Sequence, residues 1–121
     1  MLNYIKDEIN QKLIEDKVIQ KVIRNLNEPI YGSRWCAPLL ILIEYKQTDN
    51  SNINYIKLDN FLNIEHILPQ GYKKIKYWNE LFIPEEAENI LNTIGNLTLL
   101  SGKKNIGASN KPFKEKLEIY K

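Results

Sequence analysis

Apolar residues recur at Ile5, Ile9 and Leu13 and again at Val18, Val22 and Leu26, separated by Lys, Glu, Asp and Gln. Such steps keep side chains on one side of a helix, so the pattern predicts one long amphipathic helix to about Asn25, stopped by Asn27-Glu28-Pro29. After the turn Tyr31-Gly32-Ser33, a second helix is expected from about Arg34 to Tyr45, with Trp35, Leu39, Leu42 and Ile43 inside. Pro38 falls in its first turn, where a missing N–H costs little. Lys46 to Asn54 is rich in Asn, Asp and Ser and reads as a loop. From Tyr55 to Leu68 the apolar positions come in short runs with aromatic and β-branched members, which predicts extended structure ending at Pro69.

Tyr77, Trp78, Leu81 and Phe82 predict a short helix or packed loop, and Pro84-Glu85-Glu86 has the composition of a helix N-terminus. That helix would carry Ala87, Ile90 and Leu91 inward and stop before Gly95. Asn96-Leu97-Thr98-Leu99-Leu100 is then a short buried strand closed by Ser101-Gly102. Ser101 is placed to cap a helix opening at Lys103, and after Pro112 a last helix carries Phe113, Leu117 and Tyr120. No internal repeat or low-complexity segment interrupts this order.

With 121 residues, 43% of them hydrophobic and 26% charged, the chain fits one globular domain. The apolar run Pro38 to Ile43 stops at Glu44, far short of the ~20 residues that span a bilayer, and no basic-then-apolar leader precedes the first helix. A cytoplasmic protein with no membrane partner is expected. Cys36 is the only cysteine. No internal disulfide can form, and one Cys with one His cannot build a structural zinc site. Any bound metal should be a hard ion held by oxygen.

The net charge of +2 hides a gradient. Met1 to Asn60 balance eight basic against eight acidic side chains, whereas Lys103, Lys104, Lys111, Lys114, Lys116 and Lys121 face only Glu115 and Glu118. Such a tail is either a solvated helix face or a phosphate-binding surface.

The chemistry centres on Glu65-His66-Ile67-Leu68-Pro69, which holds the only histidine. With an unperturbed pKa of ~6.5, histidine is the side chain suited to proton transfer near neutral pH. Glu65-His66 lies near the end of a predicted strand, Asn96 opens a second, and Asn105 falls in the first turn of a helix. If the strands pair antiparallel and the helix packs across them, these residue types suit a one-metal phosphodiesterase. Glu65 and the carboxamide oxygen of Asn105 are hard donors for a single Mg²⁺ or Mn²⁺. Neutral His66 would take the proton of the attacking water.

Taken in order, Glu65-His66-Ile67-Leu68-Pro69-Gln70, Ile94-Gly95-Asn96-Leu97-Thr98-Leu99-Leu100, Asn105 and Ser109-Asn110-Lys111-Pro112-Phe113-Lys114 resemble the HNH-type, or His-Me finger, nuclease domain at the C-terminus of GmrSD-type restriction endonucleases. The resemblance extends upstream to Tyr31-Gly32 and the Leu39 to Tyr45 helix. It implies Glu65 and Asn105 as metal ligands and His66 as the base, with Asn96 bracing the loop between the strands and helping to orient that base. Glu65 departs from the Asp common in HNH nucleases. The resemblance also implies defence against foreign, often modified, DNA and a partner that uses nucleotide and senses the modification. No G-x-x-x-x-G-K-[ST] loop is present for that task. The chain is therefore expected to be a C-terminal fragment, or a relative whose targeting subunit is separate.

The expected fold is α+β, with a ββα-metal core from about Phe61 to Lys121 buttressed by the two N-terminal helices. The expected function is divalent-metal-dependent DNA cleavage, with Lys103, Lys104, Lys111 and Lys114 on backbone phosphates and little reading of base edges. Arg34 is expected near the site, while Trp35, Tyr77 and Trp78 are expected in the core. The rivals are a non-cleaving nucleic-acid-binding module and a helical protein-interaction domain. The same residues could also act on RNA or a nucleotide.

Overall fold

The computed structural model describes residues 2–15, 17–47, 56 and 61–121. The first helical stretch is two helices, α1 (Leu2–Glu15) and α2 (Val18–Leu26), where one was expected. Lys17 between them is left-handed, with φ 49° and ψ 35°. The apolar pattern accounts for the break. Steps of four residues join Ile5 to Leu13 and Val18 to Val22 and Leu26, but five separate Leu13 from Val18. In a continuous helix that step would swing the apolar stripe by about 100° more than a step of four. Even so, no described side chain of α1 or α2 is fully buried, and Ile9, Ile14, Ile19 and Ile23 are all exposed.

Of the two N-terminal helices expected as the buttress, the second supplies the buried residues: it is α3 (Cys36–Gln47), which starts two residues later than expected and also ends two later. Gly32 takes φ 80° in the turn before it, a conformation that favours glycine. Cys36 and Leu40, one helical turn apart, enter a core cluster with Leu97, joined by Ile30, Ile64, Ile94 and Leu99. With that face inward, Trp35 is 58% exposed and carries the Arg34 guanidinium on its ring, while Leu42 and Ile43 face outward. The expectation that these three lie inside is therefore wrong. Residues 38–43 are apolar all round, and such a run does not say which side meets the core.

Strands β1 (Leu62–His66) and β2 (Leu97–Ser101) pair antiparallel, with Leu62 opposite Ser101 and His66 opposite Leu97. The strand is shorter than the Tyr55 to Leu68 segment predicted. Residues 55 and 57–60 lie outside the described residues, as do 48–54 of the expected polar loop, while Ile67 and Leu68 turn away to bond Asn96. Between the strands run α4 (Lys76–Leu81), which follows a single tight turn at Tyr72–Lys74, and α5 (Pro84–Ile90), which opens on its proline. They enclose a second core of Leu68, Tyr72, Trp78 and Ala87, with Ile75, Phe82 and Leu91 against it. Trp78 is buried as expected; Tyr77 stands at the surface.

Helix α6 (Gly102–Ala108) follows β2 directly, and the Ser101 hydroxyl accepts the Lys104 N–H at 3.4 Å, the cap its sequence predicts. It packs across both strands and against α7 (Phe113–Tyr120), which begins after Pro112. The fold is thus mixed: helices around a small two-stranded antiparallel sheet, with a strand–strand–helix unit at its centre. Among the described residues no helix is long and apolar enough to cross a membrane.

Candidate active site

Glu65 and His66 are the last two residues of β1, so the pleat sends their side chains to opposite faces. Both nevertheless border one cleft of about 590 Å³ at the strand's end, where α6 contributes Asn105 and Ile106 and the segment after it Ser109 and Asn110. Pro69, Gln70 and Gly71 also line it. Three of the four central residues named by the sequence therefore converge: the acid, the histidine and the helix-borne asparagine.

Asn96, the fourth, is buried behind the cleft and does not line it. Its Oδ1 accepts the Leu68 N–H at 2.7 Å, and its Nδ2 donates to the carbonyls of Leu68 at 3.1 Å and Leu91 at 2.8 Å. Its own carbonyl accepts the Ile67 N–H at 2.9 Å. One carboxamide thus ties the chain leaving His66 to the chain entering β2, satisfying backbone groups that no sheet ladder reaches.

The imidazole is held on two sides. Its Nε2 lies 3.1 Å from Asn92 Oδ1, and the Tyr31 ring meets it edge-on at 4.3 Å between centroids. Glu65 is also engaged. The Lys116 ammonium donates to Glu65 Oε1 at 2.6 Å and to the His66 carbonyl at 2.8 Å, and its side chain is wholly buried. The same ammonium stands 5.8 Å from the Trp78 ring centroid, and the Trp78 Nε1–H is shared between the carbonyls of Asn110 and Lys111. Lys116 therefore sits inward of Glu65, in the wall of the site. Nearby, the Tyr120 phenol is pushed well above its ordinary range, first by burial and then by the Glu65 carboxylate.

Asn105 Oδ1 is buried with no hydrogen-bond partner, an unusual state for a carboxamide oxygen. An orphaned acceptor of this kind fits the role of a hard-cation ligand. Glu65 is the one carboxylate among the described residues lining the cleft, and one of its oxygens already serves Lys116. Among the described residues no cluster of three His, Cys, Asp or Glu could hold a metal. An ion here would depend on a single carboxylate, a carboxamide and oxygens from water or substrate, the donor set that a Mg²⁺-like ion accepts.

The expected phosphate lysines, Lys103, Lys104, Lys111 and Lys114, are exposed on or beside α6 and α7, and none lines the cleft. Lys104 Nζ bonds the Tyr120 carbonyl at 3.4 Å. Arg34 is turned to Trp35 and does not line the cleft either. Two site residues escaped the sequence reading. Lys116 left a faint signal: with Phe113 and Tyr120 it occupies the i, i+3, i+7 positions of one helix face, where a charge is out of place. Asn92 left none, being one of many asparagines.

The model of the family described as GmrSD restriction endonucleases, C-terminal domain, matches residues 9–121. The chain belongs to this family. The match takes in β1, β2, α6 and every residue of the cleft, so the GmrSD C-terminal assignment covers the whole candidate site. Comparison with curated proteins gave no match, and neither did comparison with solved structures.

Proposed function

We propose that this GmrSD-family domain is a divalent-metal-dependent DNA endonuclease whose site is the cleft bordered by Glu65, His66 and Asn105. The observation that carries the reading is their convergence: strand β1 and helix α6 place an acid, an imidazole and an asparagine with an unpartnered carboxamide oxygen around one cleft, in a restriction-nuclease family.

Each residue has a task. Glu65 and Asn105 would hold one Mg²⁺ or Mn²⁺ ion, which when bound stabilises negative charge on the phosphate and the departing oxygen. Neutral His66 removes the proton of the water that attacks phosphorus. Asn96 keeps the β1 exit in place, so that the imidazole meets the cleft in one orientation. Lys103, Lys104, Lys111 and Lys114 lie along the α6–α7 side, where they meet backbone phosphates and add affinity without reading sequence. In the restriction setting of the family, choice of DNA falls to a nucleotide-using sensor domain or subunit.

One observation favours a second reading. Because Glu65 already has a cation at 2.6 Å, the domain could bind nucleic acid without cutting it. Supercoiled plasmid incubated with Mg²⁺ or Mn²⁺ separates the two. The endonuclease nicks or linearises it, His66→Ala abolishes cleavage while preserving salt-sensitive DNA binding, and EDTA stops the reaction. Cleavage that persists in a clean His66→Ala preparation refutes the role of the base. Salt-sensitive binding by wild type with no cleavage under either metal supports the non-cleaving module.

A further inference from the structure

We infer that Asn92 is the positioning residue that fixes the tautomer of His66, placing the ring proton on Nε2 and leaving Nδ1 as the atom that accepts a proton. The inference deepens the proposed endonuclease reading, in which His66 is the base, and is tested independently of it.

The argument starts from hydrogen-bond inventory. A neutral imidazole has one N–H donor and one acceptor nitrogen, and whichever nitrogen faces an acceptor-only group must carry the proton. Asn92 Oδ1 is such a group, and it faces Nε2 at 3.1 Å. The free lone pair then belongs to Nδ1, on the other side of the ring. Were the Asn92 carboxamide turned over, its Nδ2 would donate to Nε2 and the proton would move to Nδ1, so the two arrangements are chemically opposite and can be told apart.

Asn92 is itself held from several directions. Its backbone carbonyl accepts the N–H groups of Ile30, at 2.8 Å, and Tyr31, at 3.1 Å. The same residue that bonds His66 through its side chain thus anchors the turn bringing the Tyr31 ring against His66. On either side of Asn92, the Leu91 carbonyl is taken by Asn96 Nδ2 and the Thr93 N–H by the Ile90 carbonyl at 3.0 Å. The buried Asn96 therefore reaches His66 by a defined route: it fixes the peptide before Asn92, and Asn92 fixes the ring. This arrangement is the one expected where a catalytic imidazole must present one nitrogen to substrate and keep the other occupied.

Because His66 is the only histidine of the 121 residues, its two ring nitrogens can be observed without assignment in this chain uniformly labelled with ¹⁵N. Long-range ¹H–¹⁵N correlation at a pH where the ring is neutral should show a protonated Nε2 and an unprotonated Nδ1 in the wild type. Asn92→Leu, which keeps the bulk but removes the acceptor, should give an averaged tautomer signal with backbone amide resonances of β1 and β2 unchanged. Asn92→Asp, which restores an acceptor oxygen, should recover the wild-type pattern. In the plasmid assay Asn92→Leu should lower kcat by on the order of 10-fold or more with KM little changed, a part of the ~10²–10⁴-fold that a positioned general base supplies. A protonated Nδ1 in the wild type overturns the inference, as does a tautomer that Asn92→Leu leaves unmoved. A shifted tautomer with undiminished kcat overturns the positioning role. If the wild type shows the Nε2–H form yet cuts no DNA, the tautomer assignment stands and the endonuclease reading falls.

Discussion

Replacing Lys116 by Met would remove the cation from a buried pair while keeping most of the side chain's length. At 2.6 Å between Nζ and Oε1, direct attraction at an effective dielectric near 20 is about 6 kcal/mol. Against it stands the desolvation of two charges whose side chains are 0% and 10% exposed, which costs several kcal/mol per ion, so the pair contributes little net stability. Breaking it is another matter. Met would leave Glu65 buried without its partner and the His66 carbonyl without its donor, and losses of this kind run to about 3–5 kcal/mol. For a domain of this size that corresponds to a fall in Tm of roughly 10–20 °C.

The measurement is urea unfolding followed by tryptophan fluorescence. It uses wild type, Lys116→Met, Glu65→Gln and the double variant, with Trp78 as the probe beside the ammonium. In the double variant neither charge is left stranded, so its loss should fall short of the sum of the single losses by about 2 kcal/mol or more. Additive losses, or a Lys116→Met penalty below about 1 kcal/mol, would refute the claim that the pair is buried and mutually dependent.

Two further outcomes follow from groups outside that pair. Asn96→Ala strands a buried N–H and two carbonyls and should cost roughly 2–4 kcal/mol in the same unfolding experiment; a loss within 0.5 kcal/mol would mean water replaces the carboxamide. Burial raises the Cys36 thiol, so the native state keeps its proton at a pH where the unfolded chain, near ~8.5, has begun to lose it. Unfolded chain therefore gains over native as pH climbs through that value. Stability is fully present below it and falls by at most about 1.4 kcal/mol per pH unit for this group above it. Iodoacetamide at pH 9 should label Cys36 only when urea is added, and rapid labelling of folded protein would contradict its burial.

Where a residue's role was decided by its immediate neighbours, the sequence announced it. Ser101 before Gly102 and Lys103 predicted a cap because only local backbone is involved, and Pro84-Glu85-Glu86 opened a helix for the same reason. Asn105 could be placed in a first turn from that cap alone. Roles set by distant parts of the chain were illegible. Trp35 was misplaced because a run of apolar residues does not choose the face of its helix; α3 turned Cys36 and Leu40 inward to meet Leu97. The α1–α2 break was visible in the spacing from Leu13 to Val18, although a sum of apolar positions conceals it. Lys116 and Asn92 act on a dipeptide 51 and 26 positions away in sequence, and no local pattern specifies such a meeting.

That separation bears on how the site comes into being. Pairing β1 with β2 closes a loop that contains α4 and α5, so the central strand pair is a long-range closure rather than a local one. During synthesis, Glu65, His66, Asn96 and Asn105 all emerge before Lys116, and the buried anion has no counter-charge until that lysine is made. A ribosome stalled between Asn105 and Lys116 would hold a chain with the full set of recognisable nuclease residues and without the partner of Glu65. Helix α7 is therefore the last element behind the cleft to be delivered, and the counter-charge of Glu65 comes with it.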